Sequence, residues 1–577
     1  MPKSSADSIP WPRILHEARA RFGIKGFRAG QREVLESVFG GRDTLAIMPT
    51  GSGKSLTYQL PALFLPRAVV VVSPLIALMQ DQQEKAAEAA IAVEKLDSTL
   101  TPTEQQTAVD EIKEGVAQLI YVTPERLETA QFLEELKAGG GVSLLVVDEA
   151  HCIPQWGHDF RPAFLNIGEA RRALGNPPVL ALTATATEDV AREILASLHA
   201  EGAAVINIGS ERENLSLAVH PTVNNDAKLA RIAAMIAEEE GTGIVYTASV
   251  RSADLVFDWL TEHGIASARY HGKMKIRDRE RIQQEFMRGE HKVMIATKAF
   301  GLGIDKPDIR FVFHFEFPDS LETYFQEAGR AGRDGKPARA ALLYRLEDKR
   351  IQTWFLAGRY PRLDELRSVF YSLSGARPET SLPSEAGSKA PGKRRTQVIL
   401  HLLFESGLIR RTRRGYEVAS SEPPTDATLE TLLQAYLDRA AQDKQRLADM
   451  MHYAETPNCR TQVIRVYFGD PEGEPCQRCD NCERQNRSSA SSAAEEPVSP
   501  ARPEAVTVIP TIYGEVHTTA PETLPTQSPE PGFAPGDQVR HQRFGTGKVV
   551  DIYNDMVLVD FLNSGSKRLR ADFLEAA

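Results

Sequence analysis

Ten short apolar runs punctuate the first 350 residues, with amphipathic stretches between them. TLAIM (44–48), AVVVVS (68–73), QLIYV (118–122), SLLVV (143–147) and VLALT (179–183) fall within residues 1–210. TGIVYT (242–247), SARYH (267–271), VMIAT (293–297), FVFHF (311–315) and ARAALLYR (338–345) repeat the style. A strand covered on one face alternates apolar and polar residues. Runs that are apolar throughout belong to strands buried on both faces, as in a parallel sheet wrapped by helices. Two consecutive α/β domains are therefore expected, at 1–210 and 211–358.

The pattern changes near Arg359. LSGARPETSLPSEAGSKAPGK (373–393) reads as a loop, TQVILHLLFESGLI as a helix, RRTRR as a basic turn and GYEVA as a short strand. That order suggests a small winged-helix-like module at 359–425. Residues 426–455 read as one long helix leading into a helical, cysteine-bearing domain at 426–487. From 488 to 532, eight prolines stand among Ser, Ala, Glu and Thr. Such a stretch buries too little apolar surface to offset chain entropy and reads as a disordered linker. Residues 533–577 become β-rich again, with KVVDIY and MVLVDF flanking Asn554-Asp555 as a hairpin signal. The start of the chain shows no apolar signal segment, and no run reaches the ~18 apolar residues of a membrane helix. A cytoplasmic, nucleoid-associated protein without a membrane partner is the expectation. The net charge of −10 argues only weakly against nucleic acid, because local patches decide such binding.

MPTGSGKS (48–55) follows an apolar strand and precedes a stretch that can be helical. Glycines let the backbone wrap an anion, and a helix behind adds positive dipole. Thr50, Gly51, Ser52 and Gly53 form the cradle, Lys54 would reach the β/γ-phosphates, and Ser55 would bind Mg²⁺. Met48 stands where the strict motif has its first glycine. Asp148-Glu149 end the run SLLVV, where open parallel sheets place ligands. Asp148 can hold Mg²⁺, and Glu149 can orient or deprotonate an attacking water. Downstream, YFQEAGRAGRDG (324–335) carries Gln326, Arg330 and Arg333, and a guanidinium at a γ-phosphate stabilises transition-state charge. Together these three elements imply a nucleotide site shared between two domains, whose closing and opening turn hydrolysis into movement.

Four of the five cysteines cluster: Cys459, Cys476, Cys479 and Cys482, the last three spaced C-x₂-C-x₂-C. Four thiolates suit tetrahedral Zn²⁺, although an iron–sulfur cluster or free thiols fit the spacing too. Cys152 reads as an ordinary cysteine.

The motifs, taken in order, resemble the RecQ-family DNA helicases of superfamily 2: FGIKGFRAGQ (22–31), MPTGSGKS, VVSPLIALMQDQ (71–82), DEAHCIPQWGHDFRPAF (148–164), ALTATAT (181–187), YHGKM (270–274), ATKAFGLGIDKPDIRFVFHF (296–315) and YFQEAGRAGRDG. The resemblance implies tandem RecA-like motor domains and ATP-dependent 3′→5′ unwinding of DNA in repair or recombination, with ATP, Mg²⁺ and Zn²⁺ as cofactors. By resemblance, Ile24, Arg28 and Gln31 grip adenine. Trp156, His158, Phe160 and Arg161 lie in an aromatic-rich loop that senses single-stranded DNA. Thr183, Thr185, Gly301 and Asp305 couple ATP to the DNA path, and the four cysteines hold structural zinc.

Two departures stand out. The family runs almost directly from the second motor domain into the zinc-binding helices, whereas about 80 residues intervene here. The family commonly places a winged helix after the zinc site, where this chain has the Pro/Ser-rich segment. The intervening residues carry eight basic side chains against one acid between Lys389 and Tyr416. Arg394, Arg395, Arg411 and Arg413 among them are candidates for duplex phosphates. The C-terminal GDQVRHQRFGTG resembles the small Tudor-like β-barrel of some UvrD-type helicases, which implies an RNA polymerase or nucleic-acid contact. Other readings are a DNA-stimulated translocase that does not unwind, a tethering adaptor and an RNA helicase. Lys54, Glu149 and the two arginines oppose the adaptor, and QWGHDFRP and the cysteine block favour DNA.

Overall fold

A computed structural model describes residues 9–74, 76–97, 100–153, 162–164, 166–301, 306–358, 360–374, 392–412, 415–419, 424–470, 473–493, 537–541, 545–553, 556–561, 565–570 and 574–576. The chain divides into two compact units, Met1–Glu496 and Pro497–Ala577.

The first unit begins with a seven-stranded sheet: β1 Thr44–Ile47, β2 Ala68–Val72, β3 Val93–Leu96, β4 Leu119–Val122, β5 Val142–Val147, β6 Val179–Thr183 and β7 Ala204–Asn207. The order is β3-β4-β2-β5-β6-β1-β7, with parallel pairings throughout the described residues. Val69 to Val72 and Leu144 to Val147 are fully buried. Alternate residues feed opposite cores. Leu45, Val70, Val72, Leu145 and Val147 pack on one face, and Ala46, Val69, Val71, Leu144 and Val146 on the other. This double burial explains why the strands read as unbroken apolar runs. Each buried Val or Leu stabilises by ~1.5–3 kcal/mol over its exposed state.

The second sheet contains β8 Leu215–Pro221, β9 Thr242–Tyr246, β10 Ser267–Tyr270, β11 Val293–Ala296, β12 Ile309–His314 and β13 Ala338–Tyr344. Its order is β10-β11-β9-β12-β13-β8, again parallel. Both sheets have the RecA-like plan. Polar caps start the crossover helices: Ser249 accepts from Ser252 N, Asn224 from Ala227 N and Ser320 from Thr323 N.

Helices Leu363–Ser374 and Lys393–Glu405 and a hairpin of β14 Ile409–Thr412 with β15 Gly415–Val418 follow. The helix Asp426–Glu455 then spans two cores. Its Leu429, Leu433 and Tyr436 pack with Leu366, Phe370, Ile399 and Leu403. Its Leu447, Met450 and Tyr453 join the core of the second sheet, which also contains Ile464, Phe468, Cys479 and Cys482.

The helix Asp480–Ala493 covers the start of the segment expected to be disordered from 488. Buried Asn481 and Cys482 anchor its first turn, and Ser and Ala can extend it, so the linker reading is corrected there. Residues 494–532 lie outside the described residues. In the second unit, β16 Gln538–His541, β17 Gly545–Tyr553, β18 Met556–Phe561, β19 Gly565–Arg570 and β20 Glu575–Ala576 form an antiparallel sheet ordered β19-β18-β17-β16-β20. The expected barrel is thus present as a sheet in which β19 and β20 do not pair among the described residues. Among those residues no helix is long and apolar enough to cross a membrane.

Candidate functional site

In the first sheet β5, β6 and β1 are neighbours, so their carboxyl ends bring three loops to one edge. The phosphate loop follows β1, Asp148-Glu149 follow β5, and Thr183 ends β6. Gly51 and Gly53 adopt φ of +81° and +84°, which β-carbon-bearing residues rarely tolerate. The N–H groups of Gly51, Gly53, Lys54 and Ser55 donate to no backbone carbonyl among the described residues. Such a run of N–H groups ahead of the helix Leu56–Ala62 has the composition of an anion nest. Lys54 Nζ rests 3.3 Å from Met48 O.

The Gly23–Gln31 segment braces this loop. Arg28 donates to Gly51 O, and Gln31 Nε2 donates to Ser52 O at 3.1 Å and Gly53 O at 3.0 Å. Gln31 Oε1 in turn accepts from Arg28 N at 2.8 Å. Ile24 packs against the small core of Ile14, Leu35, Leu56 and Leu60.

Asp148 and Glu149 are shifted in opposite directions. Burial, reinforced by the Glu149 carboxylate, pushes Asp148 up to about 7. Burial also opposes charge on Glu149, but Lys54, His151, Arg330 and Arg333 outweigh it and hold that carboxyl below the ordinary range. A buried carboxyl kept reluctant to ionise beside an ionised one is a fitting place for a divalent cation, whose charge would reverse the balance. Glu149 has a φ of +51°, a strained conformation for a non-glycine residue at a site edge. His151 Nδ1 lies 3.1 Å from Thr183 Oγ1 and 3.3 Å from Glu149 Oε2. Burial, the largest influence, pulls the imidazole below its usual range, and the Glu149 carboxylate opposes it. Thr183 Oγ1 donates to Thr185 O at 2.8 Å.

The second sheet supplies the far wall. Helix Leu321–Ala328 holds half-buried Gln326 in its last turn, and the Gly329–Arg333 loop follows. Thr50 Oγ1 donates to Gly329 O at 2.7 Å, tying this loop to the phosphate loop. Arg333 packs on Gly51, where an added Cβ would meet its Cγ at 3.3 Å. Arg330 is buried, and its Nε and Ser52 Oγ have no hydrogen-bond partner among the described residues. These polar atoms and the open nest suit the oxygens of a bound phosphate chain. Gly301 lies beside them, with a hypothetical Cβ only 2.9 Å from Arg330 Nη2.

The second cluster is built by Cys459, Cys476, Cys479 and Cys482, whose Sγ atoms all lie within 4.8 Å of one another. A zinc ion at ~2.3 Å from each of four sulfurs implies edges of about 3.8 Å, so the set fits a Cys₄ site. Cys476 N donates to Cys459 Sγ at 3.2 Å and Arg460 N to Cys479 Sγ at 3.4 Å, contacts that favour thiolates.

Trp156, His158, Phe160, Arg161, Asp305 and Arg413 lie outside the described residues, as do the side chains of Arg394 and Arg411. Arg395 pairs with buried Glu365 at 2.6 Å. Sequence reading passed over His151, Arg212, Asn214 and Asp470. His151 carries a local signal through its place beside Asp148-Glu149. The others contact residues more than 100 positions away and give none.

Three family descriptions match: DEAD/DEAH box helicase over residues 28–194, Helicase conserved C-terminal domain over 227–335 and RecQ zinc-binding over 427–483. The chain is 42% identical over 349 residues to the ATP-dependent DNA helicase RecQ of Bacillus subtilis (strain 168), covering 59% of this chain and 58% of that protein. It is 37% identical over 388 residues to the Probable ATP-dependent DNA helicase RecS of the same organism, covering 67% and 78%. With the ATP-dependent DNA helicase RecQ of Haemophilus influenzae it shares 38% over 340 residues, 59% and 54% of the two chains. It thus spans little more than half the length of the two RecQ proteins.

Proposed function

The chain belongs to the RecQ family of superfamily-2 helicases, and from that premise we propose that it is an ATP-driven DNA helicase. In this reading it translocates 3′→5′ on single-stranded DNA and separates duplex or branched DNA during repair or recombination. The observation that carries the proposal is the split site. Lys54 and Glu149 stand on the first sheet, Arg330 and Arg333 on the second, and the Thr50–Gly329 contact joins them. A site built this way acts only when the two domains close, so nucleotide turnover drives relative motion.

The parts divide as follows. The nest and Lys54 bind the phosphates, Ile24, Arg28 and Gln31 are assigned to the adenine end of the nucleotide, and Ser55 and Asp148 would hold Mg²⁺, which neutralises phosphate charge. Glu149 is kept ionised to take or orient a proton of the attacking water. Gln326, Arg330 and Arg333 complete the site, and the arginines offset the charge that develops on the phosphoryl group. Cys459, Cys476, Cys479 and Cys482 hold structural Zn²⁺. Trp156, His158, Phe160 and Arg161 are assigned to single-stranded DNA. Arg394, Arg395, Arg411 and Arg413 of a winged-helix-like module are assigned to duplex phosphates. The C-terminal sheet, as a Tudor-like domain, is assigned a contact with RNA polymerase. A pull-down with the full chain and its 1–532 truncation tests that contact: recovery of polymerase by both, or by neither, overturns it.

Unwinding of labelled duplexes with a 3′ or a 5′ single-stranded tail, with ATP, Mg²⁺ and a Lys54→Ala control, tests the main proposal. Release from the 3′-tailed substrate alone, lost in the control, supports it. DNA-stimulated hydrolysis without release from either duplex replaces it with a translocase.

A further inference from the structure

Arg212 stands just after β7, in the segment joining the two sheets, and reaches across to the Gly329–Arg333 loop. Its Nη1 donates to Gly329 O at 2.7 Å and its Nη2 to Gly332 O at 2.6 Å. The two carbonyls are three residues apart, with Arg330 between them and Arg333 directly after the second. A planar guanidinium fixes both acceptors at once, which a lysine cannot do. Asn214 Nδ2 adds a second donor to Gly332 O at 2.7 Å and one to Lys336 O at 2.8 Å. Gly329 O is also the acceptor for Thr50 of the phosphate loop, so Arg212 and Thr50 converge on one oxygen from the two domains.

Arg212 is itself held from behind. Arg478, lying between Cys476 and Cys479, donates to Arg212 O at 3.3 Å and pairs with Glu211 at 2.7 Å. Arg465 reaches the same Glu211 at 3.3 Å. Asp470 accepts from Ser210 N at 2.6 Å and Asn207 Nδ2 at 3.1 Å. The connecting segment is thus gripped by the cysteine-bearing module over residues 207–212.

We infer that Arg212 is a positioning residue for hydrolysis: it holds the Gly329–Arg333 loop so that Arg330 and Arg333 meet the phosphate loop, and the cysteine-bearing module fixes it in that position. The inference rests on the ATPase reading above. Both terminal nitrogens of Arg212 are committed to Gly329 O and Gly332 O, so it acts through the carbonyls that set where the loop's side chains point. Misplacing a catalytic group by an ångström costs about 10²-fold in rate.

The test is a double-mutant cycle on the full chain, with ATP hydrolysis stimulated by a single-stranded oligonucleotide. Arg212→Lys is expected to lower kcat by about 10²-fold and to change KM for ATP by less than about threefold. In a background carrying both Arg330→Ala and Arg333→Ala the same substitution is expected to cost almost nothing more, because the loop has lost both groups it aims. A purely structural role would instead cost the same factor in both backgrounds, and that additivity overturns the inference, as does an unchanged kcat in Arg212→Lys. If Arg212→Lys melts below the assay temperature, Asn214→Ala replaces it in the cycle, with the same pattern expected at smaller size. A wild-type chain without DNA-stimulated hydrolysis sinks the ATPase reading itself. A wild type that hydrolyses while the cycle is additive sinks only the role of Arg212.

Discussion

Gly301 has no room for a methyl group. A Cβ there would lie 2.9 Å from Arg330 Nη2 and 3.1 Å from Tyr246 Oη, and Tyr246 is itself pinned by donation to Phe300 O at 2.8 Å. The guanidinium is the partner that must give. Gly301→Ala is therefore expected to lower kcat for ATP hydrolysis by about tenfold or more while binding of a fluorescent ATP analogue is nearly unchanged, the mark of an interaction made in the transition state. Weakened nucleotide binding with unchanged kcat would contradict this. Lys54→Ala makes the complementary case, because among the described residues its ammonium makes one hydrogen bond, 3.3 Å to Met48 O. Thermal melting should move little and hydrolysis should vanish. A fall in melting temperature as large as that of a core substitution would show that Lys54 holds the fold rather than the nucleotide.

At the scale of elements, the edge strand β3 carries a conflict. Burial of Glu94, together with its hydrogen bond to and charge repulsion from Glu111 on the helix Pro102–Lys113, raises its pKa to about 7. The folded form thus holds a proton that the unfolded chain releases near 4.5. The fold is most favoured below about pH 4.5 on this account and loses that contribution as pH rises toward 7. Glu94→Gln should raise the melting temperature at pH 8 and do little at pH 4.5; an equal gain at both pH values would exclude the carboxyl pair as its cause. Ten strands of the two sheets were legible because burial writes itself as apolar runs, whereas the edge strands β3, β7 and β8 were not, β7 being half-buried and exposed by turns; the phosphate loop was legible because its glycines and lysine are contiguous. The helix Asp426–Glu455 was legible in extent but not in role. Its apolar stripe does not announce that Leu429 to Tyr436 serve one core and Leu447 to Tyr453 another. The pairings of Arg212 with Gly329 and of Asp470 with Ser210 were invisible, since each joins ordinary polar residues distant in sequence. The halves of the long helix meet near Ala440, where Arg439 pairs with Glu193 at 2.7 Å. A proline there removes a helical hydrogen bond and costs about 3 kcal/mol. Ala440→Pro should therefore split calorimetric unfolding, the 363–436 core melting ahead of the second sheet. A single unsplit transition would mean that the two cores are coupled by something other than this helix.

For the whole molecule, the cysteine cluster is part of the motor rather than an appendage. Strand β8 is the edge of the second sheet, and an open edge would invite foreign pairing. The cluster-bearing segment covers it: Asp480 accepts from Val219 N at 3.1 Å, and Ser216 donates to Arg478 O at 2.8 Å. Cys459, Cys479 and Cys482 share one apolar core with Leu215, Leu217, Val219 and Tyr324. Structural zinc sites contribute directly to folding free energy, so on the zinc reading proposed above loss of the ion would release the edge as well as the knuckle. Chelation, or Cys479→Ser, should therefore raise amide exchange in β8 and in the helix Arg460–Tyr467 by orders of magnitude while leaving β1 and β5 of the first sheet protected. The same treatment frees the 207–212 segment that Arg478 and Asp470 grip, so hydrolysis should fail although the phosphate loop is intact and still binds nucleotide. If β8 stayed protected after the metal was removed, the shared core alone would hold the edge. The cysteines would then stabilise only their own turn, and their link to the ATP site would have to be given up.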